Sequence, residues 1–171
     1  MQMPGSGQLT LTTTVVSPIG PLTLTSRSGR LTGLYMQDAA HVPAPGSEWV
    51  TAPGEFADVT AQLDAYFAGE LTDFDVSVDL GGSDFQRQVW TGLRAIPYGG
   101  TCSYAQLAAA VGRPRACRAV GLANGRNPVA IIVPCHRVVA SGGGLGGYAG
   151  GLDRKSWLLA HERAGAARRQ D

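Results

Sequence analysis

At 171 residues and 44% hydrophobic composition, the chain can build one ordinary domain or two small packed ones, and it holds no run of about 18 apolar residues that could cross a membrane. Three cysteines with no CxxC pair argue against a disulfide framework or a zinc site, so no metal is expected and a reducing, cytoplasmic setting fits. The net charge of +1 hides a split: residues 1–84 carry two arginines against ten carboxylates, a net −8, and residues 85–171 carry twelve basic against three acidic groups, a net +9.

The basic half is a candidate polyanion binder. Two oppositely charged halves that simply attract each other would leave the same signature. Thirteen of the fourteen cations are arginine. That bias suits bidentate phosphate contacts, and it follows equally from GC-rich coding. Residues 1–8 have neither a basic start nor an apolar run, so they do not read as a secretory signal.

Residues 8–36 read as a β-meander. Leu9, Leu11, Thr13 and Val15 alternate with polar residues, Ser17-Pro18-Ile19-Gly20-Pro21 is turn chemistry, and Leu22-Thr23-Leu24 resumes the strand. Ser28-Gly29 makes a second turn before Leu31, Leu34 and Tyr35. Residues 38–53 read as a loop rich in Pro, Ala and Gly. Pro53 then opens a helix whose apolar face is Phe56, Val59, Leu63, Tyr66 and Phe67, with Gly69 as its stop. Phe74, Val76, Val78 and Leu80 alternate again, as a strand or an extended linker.

Gly81-Gly82 marks a domain boundary. Ser83 with Gln86 predicts a capping box, followed by a helix whose core face is Phe85, Val89, Leu93 and Ile96. Pro97-Tyr98-Gly99-Gly100 breaks the chain. Ser103 with Gln106 predicts a second capping box, with Leu107 and Val111 on one face and Gly112 at the end. Pro114 suits the first turn of a further helix that runs to Asn124-Gly125. Two short helices around a Gly-containing turn read as a helix-turn-helix. After the Asn127-Pro128 loop, Ile131-Ile132-Val133 reads as a short buried extended segment. Residues 141–151 hold seven glycines and form a loop shaped by its backbone. Asp153 is expected to cap the last helix, to which Trp157, Leu158 and Leu159 bring apolar contacts. The class is α+β: a small N-terminal β-sheet and helix domain over 1–82, then a mostly helical C-terminal domain over 83–171 with the helix-turn-helix and Cys135.

A cysteine is more often a buried structural thiol than a nucleophile, but the neighbours of Cys135 change that balance. His136 is adjacent and titrates near neutrality, and Glu162 on the last helix can orient a base. Cys, His and a carboxylate are the parts of an activated thiol. Adjacent residues rarely aim their side chains at each other, so a Cys135–His136 relay is expected to run through a water.

Pro134-Cys135-His136-Arg137-Val138 resembles the active-site signature of the O6-alkylguanine-DNA alkyltransferases. Ser103-Tyr104, Arg118-Ala119-Val120-Gly121, Asn127-Pro128, Tyr148-Ala149-Gly150-Gly151 and Glu162 follow the family's order and spacing from about residue 83 to 165. The N-terminal half resembles the family more loosely, through Ser17-Pro18-Ile19-Gly20 and Tyr66-Phe67-Ala68-Gly69-Glu70. The resemblance implies a ribonuclease-H-like fold for residues 1–82. It implies direct-reversal repair, in which the alkyl group of O6-alkylguanine, and of O4-alkylthymine, passes irreversibly to Cys135. No cofactor is implied.

By resemblance, Cys135 is the acceptor, His136 the base acting through water, and Glu162 the carboxylate that orients it. Tyr104 helps rotate the nucleotide and donates a proton toward the guanine. Arg118 fills the vacated space in the base stack. Asn127 ties the helix-turn-helix to the active-site strand. The carbonyls of Cys135 and Val138 face the exocyclic amine of the base, Tyr148 borders the pocket, and the Ala149 N–H faces O6. Ala119 and Gly121 let the helix approach double-stranded DNA closely through its minor groove, although ordinary helix packing would also account for small residues there. A monomer is implied. Position 149 is Ala where many relatives carry Ser, which preserves a backbone N–H. Cys102 and Cys117 lack an adjacent His and read as incidental thiols, and the zinc ligands of some N-terminal halves have no clear counterparts.

Three rival readings account for parts of the sequence. A helix-turn-helix regulator accounts for the basic half but not for residues 134–138. A lesion-recognition protein without chemistry would lack the cysteine. A cysteine hydrolase would turn over.

Overall fold

The alternating threonines and leucines at the start of the chain form Thr10–Val15 (β1), Leu22–Arg27 (β2) and Arg30–Met36 (β3), an antiparallel meander. The computed structural model describes residues 8–171; the expectation about a secretory signal falls mainly on residues 1–7, outside the described part. Ser28 and Gly29 lie at φ 50 and 77. Positive φ at both central residues is what a tight hairpin needs if its turn is to follow the strand twist. Within β1 the buried residues are Thr10 and Thr13, while Leu9 precedes the strand and is 57% exposed. The buried Thr10 hydroxyl finds a partner: Arg27 Nε donates to Thr10 Oγ1 at 2.8 Å.

The stretch 38–53 is not all loop. Trp49–Thr51 (β4) pairs in parallel with β1 and completes a sheet in the order β3-β2-β1-β4. Three residues are too few for an alternation to show in sequence. Pro53–Phe56 then forms a 3₁₀ turn that runs into Ala57–Phe67 (α1), whose buried face holds Leu63 and Tyr66 beside Phe56. Gly69, at φ 79, ends it.

Residues 74–80 take the extended-linker option and form no strand of their own. They run beside β3: Leu31 N–H donates to Ser77 O at 2.9 Å, and Asp79 N–H to Leu31 O at 2.8 Å. Further along β3, Leu34 N–H donates to Pro128 O at 2.9 Å and Ala130 N–H to Leu34 O at 3.2 Å. The edge of the sheet is therefore covered by the chain itself, and its last partner is the segment that leads into Cys135.

Both capping boxes form. Ser83 caps Asp84–Arg94 (α2) and Ser103 caps Tyr104–Ala110 (α3), each with its glutamine reaching back. Cys102–Ser103 (β5) precedes α3. Cys117–Gly125 (α4) packs on α2, where Trp90 Nε1 donates to Ala123 O at 2.8 Å. Pro114 does not lie in α4. It sits in a turn closed by Ala116 N–H on Arg113 O, and the helix begins three residues later than its proline suggests.

Val138–Val139 (β6) pairs in parallel with β5, and Leu152–Arg168 (α5) closes the chain. Two expectations are corrected here. Residues 131–133 are buried but turned rather than extended: Ile131 lies at φ 70 and Val133 N–H folds back on Val129 O. Asp153 does not cap α5. Gly151 holds the N-cap at φ 93, a conformation glycine adopts without strain, and Asp153 sits in the first turn, where a carboxylate favours the helix dipole. One hydrophobic cluster runs from Leu22, Leu24 and Leu34 through Tyr66 to Val89, Leu93, Leu107 and Leu158. Among the described residues, no helix is long and apolar enough to cross a membrane.

Candidate active site

Pro134 and the turned segment before it deliver Cys135 into a 3₁₀ turn, Cys135–Arg137, just ahead of β6. Asn127 shapes that approach. Its Nδ2 donates to Val133 O at 2.7 Å and its Oδ1 accepts from Val129 N–H at 3.0 Å. An amide two residues beyond α4 thus holds the backbone two residues before the thiol. Ile131 contributes strain, because a β-branched residue at positive φ persists only where its surroundings impose it.

Cys135 borders a cavity of about 230 Å³, far more room than a single water needs. Tyr104, Asn127, Tyr148 and Ala149 line it from the C-terminal half, and Met36 and His41 from the N-terminal half. Gly121 on α4 also borders it. The glycine loop must come close here. Gly146, at φ 72, lies so near the Tyr104 ring that a Cβ would sit 2.9 Å from its hydroxyl. Tyr104 in turn donates to Gly147 O at 3.3 Å. The Ala149 N–H donates to no described residue, while its carbonyl accepts from Ala40 at 2.9 Å.

Behind the cysteine lies a fully buried network centred on Glu162. His136 Nε2 stands 2.7 Å from Glu162 Oε1. Arg137 grips the same carboxylate with Nε to Oε2 at 2.8 Å and Nη2 to Oε1 at 3.0 Å, and spends Nη1 on Ile96 O at 2.6 Å. Tyr66 of α1 donates its hydroxyl to Oε1 at 2.8 Å, and the Gly99 N–H reaches Oε2 at 3.5 Å. Burial alone would push the carboxyl up, but His136 and Arg137 overcome it and hold Glu162 at about 2. The carboxylate is an acceptor, so Nε2 of His136 must be the donor and Nδ1 the free lone pair. Nδ1 is buried and has no hydrogen-bond partner among the described residues.

Burial pushes the Cys135 thiol up, against the pull of the Asn127 amide, the Lys155 charge and the Tyr148 hydroxyl. Burial also lowers His136, against the pull of Glu162. Both groups therefore rest neutral, so any nucleophilic use of the sulfur requires its proton to leave. Lys155, the single lysine of the chain, is completely buried and held at about 8 by that burial. Its Nζ donates to Val138 O at 2.6 Å and Gly147 O at 3.0 Å, clamping β6 to the glycine loop across the thiol.

The remaining expected residues lie elsewhere. Arg118 and Ala119 are exposed on the first turn of α4. Val138 is buried and does not line the cavity; its carbonyl is held by Lys155. Cys102 and Cys117 are partly exposed free thiols. Among the described residues no three His, Cys, Asp or Glu side chains could hold a metal ion together. Three residues of the site went unassigned in sequence: Tyr66, Arg137 and Lys155. A lone lysine among thirteen arginines is the compositional signal that sets Lys155 apart.

Residues 10–80 match the family model described as 6-O-methylguanine DNA methyltransferase, ribonuclease-like domain, and residues 84–164 match its DNA binding domain. A methylated-DNA–protein-cysteine methyltransferase of Mycolicibacterium paratuberculosis is 57% identical over 150 residues, 88% of this chain and 90% of that protein. One from Methanosarcina acetivorans is 49% identical over 84% of this chain and 92% of its own length. The crystal structure of Mycobacterium tuberculosis OGT in complex with DNA superposes with a TM-score of 0.86 at 52% identity, covering 91% of this chain and 94% of that one.

The buried carboxylate makes stability pH-dependent with a definite sign. Glu162 is depressed from 4.5 to about 2, so its contribution is present above 4.5 and is lost as pH falls toward about 2. His136, held below 6.5, adds to the loss as pH falls below 6.5. Denaturant unfolding of Glu162→Gln is expected to show a shallower decline between pH 4.5 and 2 than the parent. At neutral pH the variant should be less stable by roughly 3–5 kcal/mol, because Arg137 loses its counter-charge.

Proposed function

The chain belongs to the 6-O-methylguanine DNA methyltransferase family, and from that premise we propose that it repairs DNA by drawing the alkyl group of O6-alkylguanine onto Cys135, once and irreversibly. Support comes above all from a thiol that opens on a cavity large enough for a base and is backed by a base–carboxylate pair. An alkyl carbon on oxygen is a soft centre, and sulfur is the fitting nucleophile. The S–H proton passes through a water to Nδ1 of His136, which Glu162 keeps aimed by holding Nε2. The sulfur pair then forms the new S–C bond as the C–O6 pair returns to the guanine. Tyr104, at the cavity wall, supplies a proton toward the base and makes guanine a better leaving group. The product is a thioether, which water does not cleave at neutral pH, so each chain reacts once. O4-alkylthymine presents the same kind of carbon and is a second substrate.

A target atom inside a duplex must be brought out, which costs a few kcal/mol. α3 and α4 form the helix-turn-helix that does this, with Arg118 entering the stack in place of the nucleotide. Exposed Ala119, together with Gly121 next to the cavity, leaves α4 slim enough to sit in the minor groove. The Ala149 N–H is free to meet O6; the Cys135 and Val138 carbonyls, already accepting from Asn124 and Lys155, would each use a second lone pair for the exocyclic amine. The basic half supplies phosphate contacts that search without regard to sequence. The protein acts as a monomer.

Intact mass after incubation with methylated duplex tests the acceptor. One methyl per chain is expected, on the peptide that holds Cys135, and none in Cys135→Ala. Methylation centred on Cys102 or Cys117 would overturn the assignment.

The stack-filling role is tested by separating extrusion from chemistry. Arg118→Ala is expected to slow single-turnover repair of duplex by roughly tenfold to hundredfold, the order of a lost stacking contact. Its reaction with a free O6-alkylated guanine base should stay near the parent rate. Equal slowing of both substrates would mean that Arg118 supports the fold instead.

A further inference from the structure

Glu162 Oε1 accepts from three donors, and one of them comes from the opposite half of the chain. Tyr66 is the penultimate residue of α1, and its hydroxyl crosses to Oε1 at 2.8 Å, between residues 96 positions apart. The tyrosine is completely buried and held at both ends. Its carbonyl meets Nε2 of His161 at 2.8 Å, so two successive residues of α5, His161 and Glu162, grip it. Phe67 and Trp157 pack on the His161 ring, with Trp157 stacked at 4.8 Å. Nothing about transfer itself requires this hydroxyl, since it touches neither the cavity nor the thiol. A phenylalanine would fill the same space in the core.

A carboxylate oxygen divides its charge among the donors it accepts. Each donor added at Oε1 weakens the pull of that oxygen on the proton at His136 Nε2, and so weakens its support for an imidazolium. We propose that Tyr66 is a positioning residue of the reaction: its hydroxyl, delivered by the N-terminal half, takes a share of the Glu162 charge and so keeps His136 neutral and able to accept the thiol proton. This rests on the role proposed above for His136.

The other groups around the pair act in known directions. Arg137 and Lys155 oppose a charged His136, whereas Glu162 favours it. Tyr98 lies near Glu162 and under the guanidiniums of Arg137 and Arg169, but it makes no hydrogen bond to the carboxylate. Cys135 and Tyr148 lie on the far side, against each other. Tyr66 itself stays protonated across the whole accessible range, because burial and Glu162 both push it up. Its contribution is therefore constant with pH, and it acts by moving the titration of His136.

The test is the pH profile of single-turnover transfer to a free O6-alkylated guanine base, a substrate that needs no extrusion. The parent should lose rate on the acid side as His136 takes up a proton. In Tyr66→Phe the midpoint of that limb should rise by about half to one pH unit, so the rate on the acid side falls about threefold to tenfold. The plateau should stay within about twofold of the parent. A merely structural role would lower the plateau or the folded fraction and leave the midpoint in place. An unmoved midpoint in Tyr66→Phe, with the acid limb abolished in His136→Ala, overturns the role of Tyr66 and leaves the His136 assignment standing. A parent-like acid limb in His136→Ala overturns both. If Tyr66→Phe does not fold, 3-fluorotyrosine at position 66 is the second variant. It keeps the ring and makes a stronger donor, so the midpoint should move down, and no movement would again overturn the proposal.

Discussion

A single buried carboxylate carries the architecture of this protein. Glu162 brings together α1 through Tyr66, the 3₁₀ turn through His136 and Arg137, and the turn that follows α2 through Gly99. A charge in that position is costly unless every lone pair is used, and here the donors saturate it. The same saturation has a chemical result. An ionised Glu162 fixes the tautomer of His136, and the fixed tautomer leaves Nδ1 as the one free base behind the thiol. Structural and chemical demands on this residue are one demand.

Several contacts join the two halves of the chain, and two of them bear directly on the site. One joint is the carboxylate. The other is the edge of β3, which hydrogen-bonds residues 128–130 only a few positions before Cys135. Met36 at the end of β3 and His41 just beyond it reach the cavity wall. The N-terminal sheet thus fixes the approach of the chain to Cys135. The hydrophobic cluster that runs unbroken through both halves makes that joint stiff.

Much of this was legible in the sequence because local physics wrote it there. Ser83 with Gln86 and Ser103 with Gln106 each need only their own four residues to form a capping box. Ser28-Gly29 needs only its hairpin. Cys135, His136 and Glu162 were legible as a set of chemical types. What escaped was set by distance. Tyr66 sits at a helical core spacing, and nothing nearby says that its hydroxyl ends on a carboxylate 96 residues on. β4 is too short for a pattern and takes its partner from β1 across the chain. Ile131 looks like part of an apolar strand, and only the tertiary fold forces it to φ 70. Lys155 stands out in composition as the single lysine of the chain, but composition does not say that its ammonium ends on the Val138 and Gly147 carbonyls.

The chemistry proposed for Cys135 depends on Glu162 holding His136 as a neutral ring with its proton on Nε2. The most direct measurement is the ¹⁵N chemical shifts of the His136 ring nitrogens in the resting protein at neutral pH. A protonated, pyrrole-like Nε2 and an unprotonated, pyridine-like Nδ1 are expected. Two protonated nitrogens, or a proton on Nδ1 alone, would contradict it, because neither form could accept the proton of Cys135.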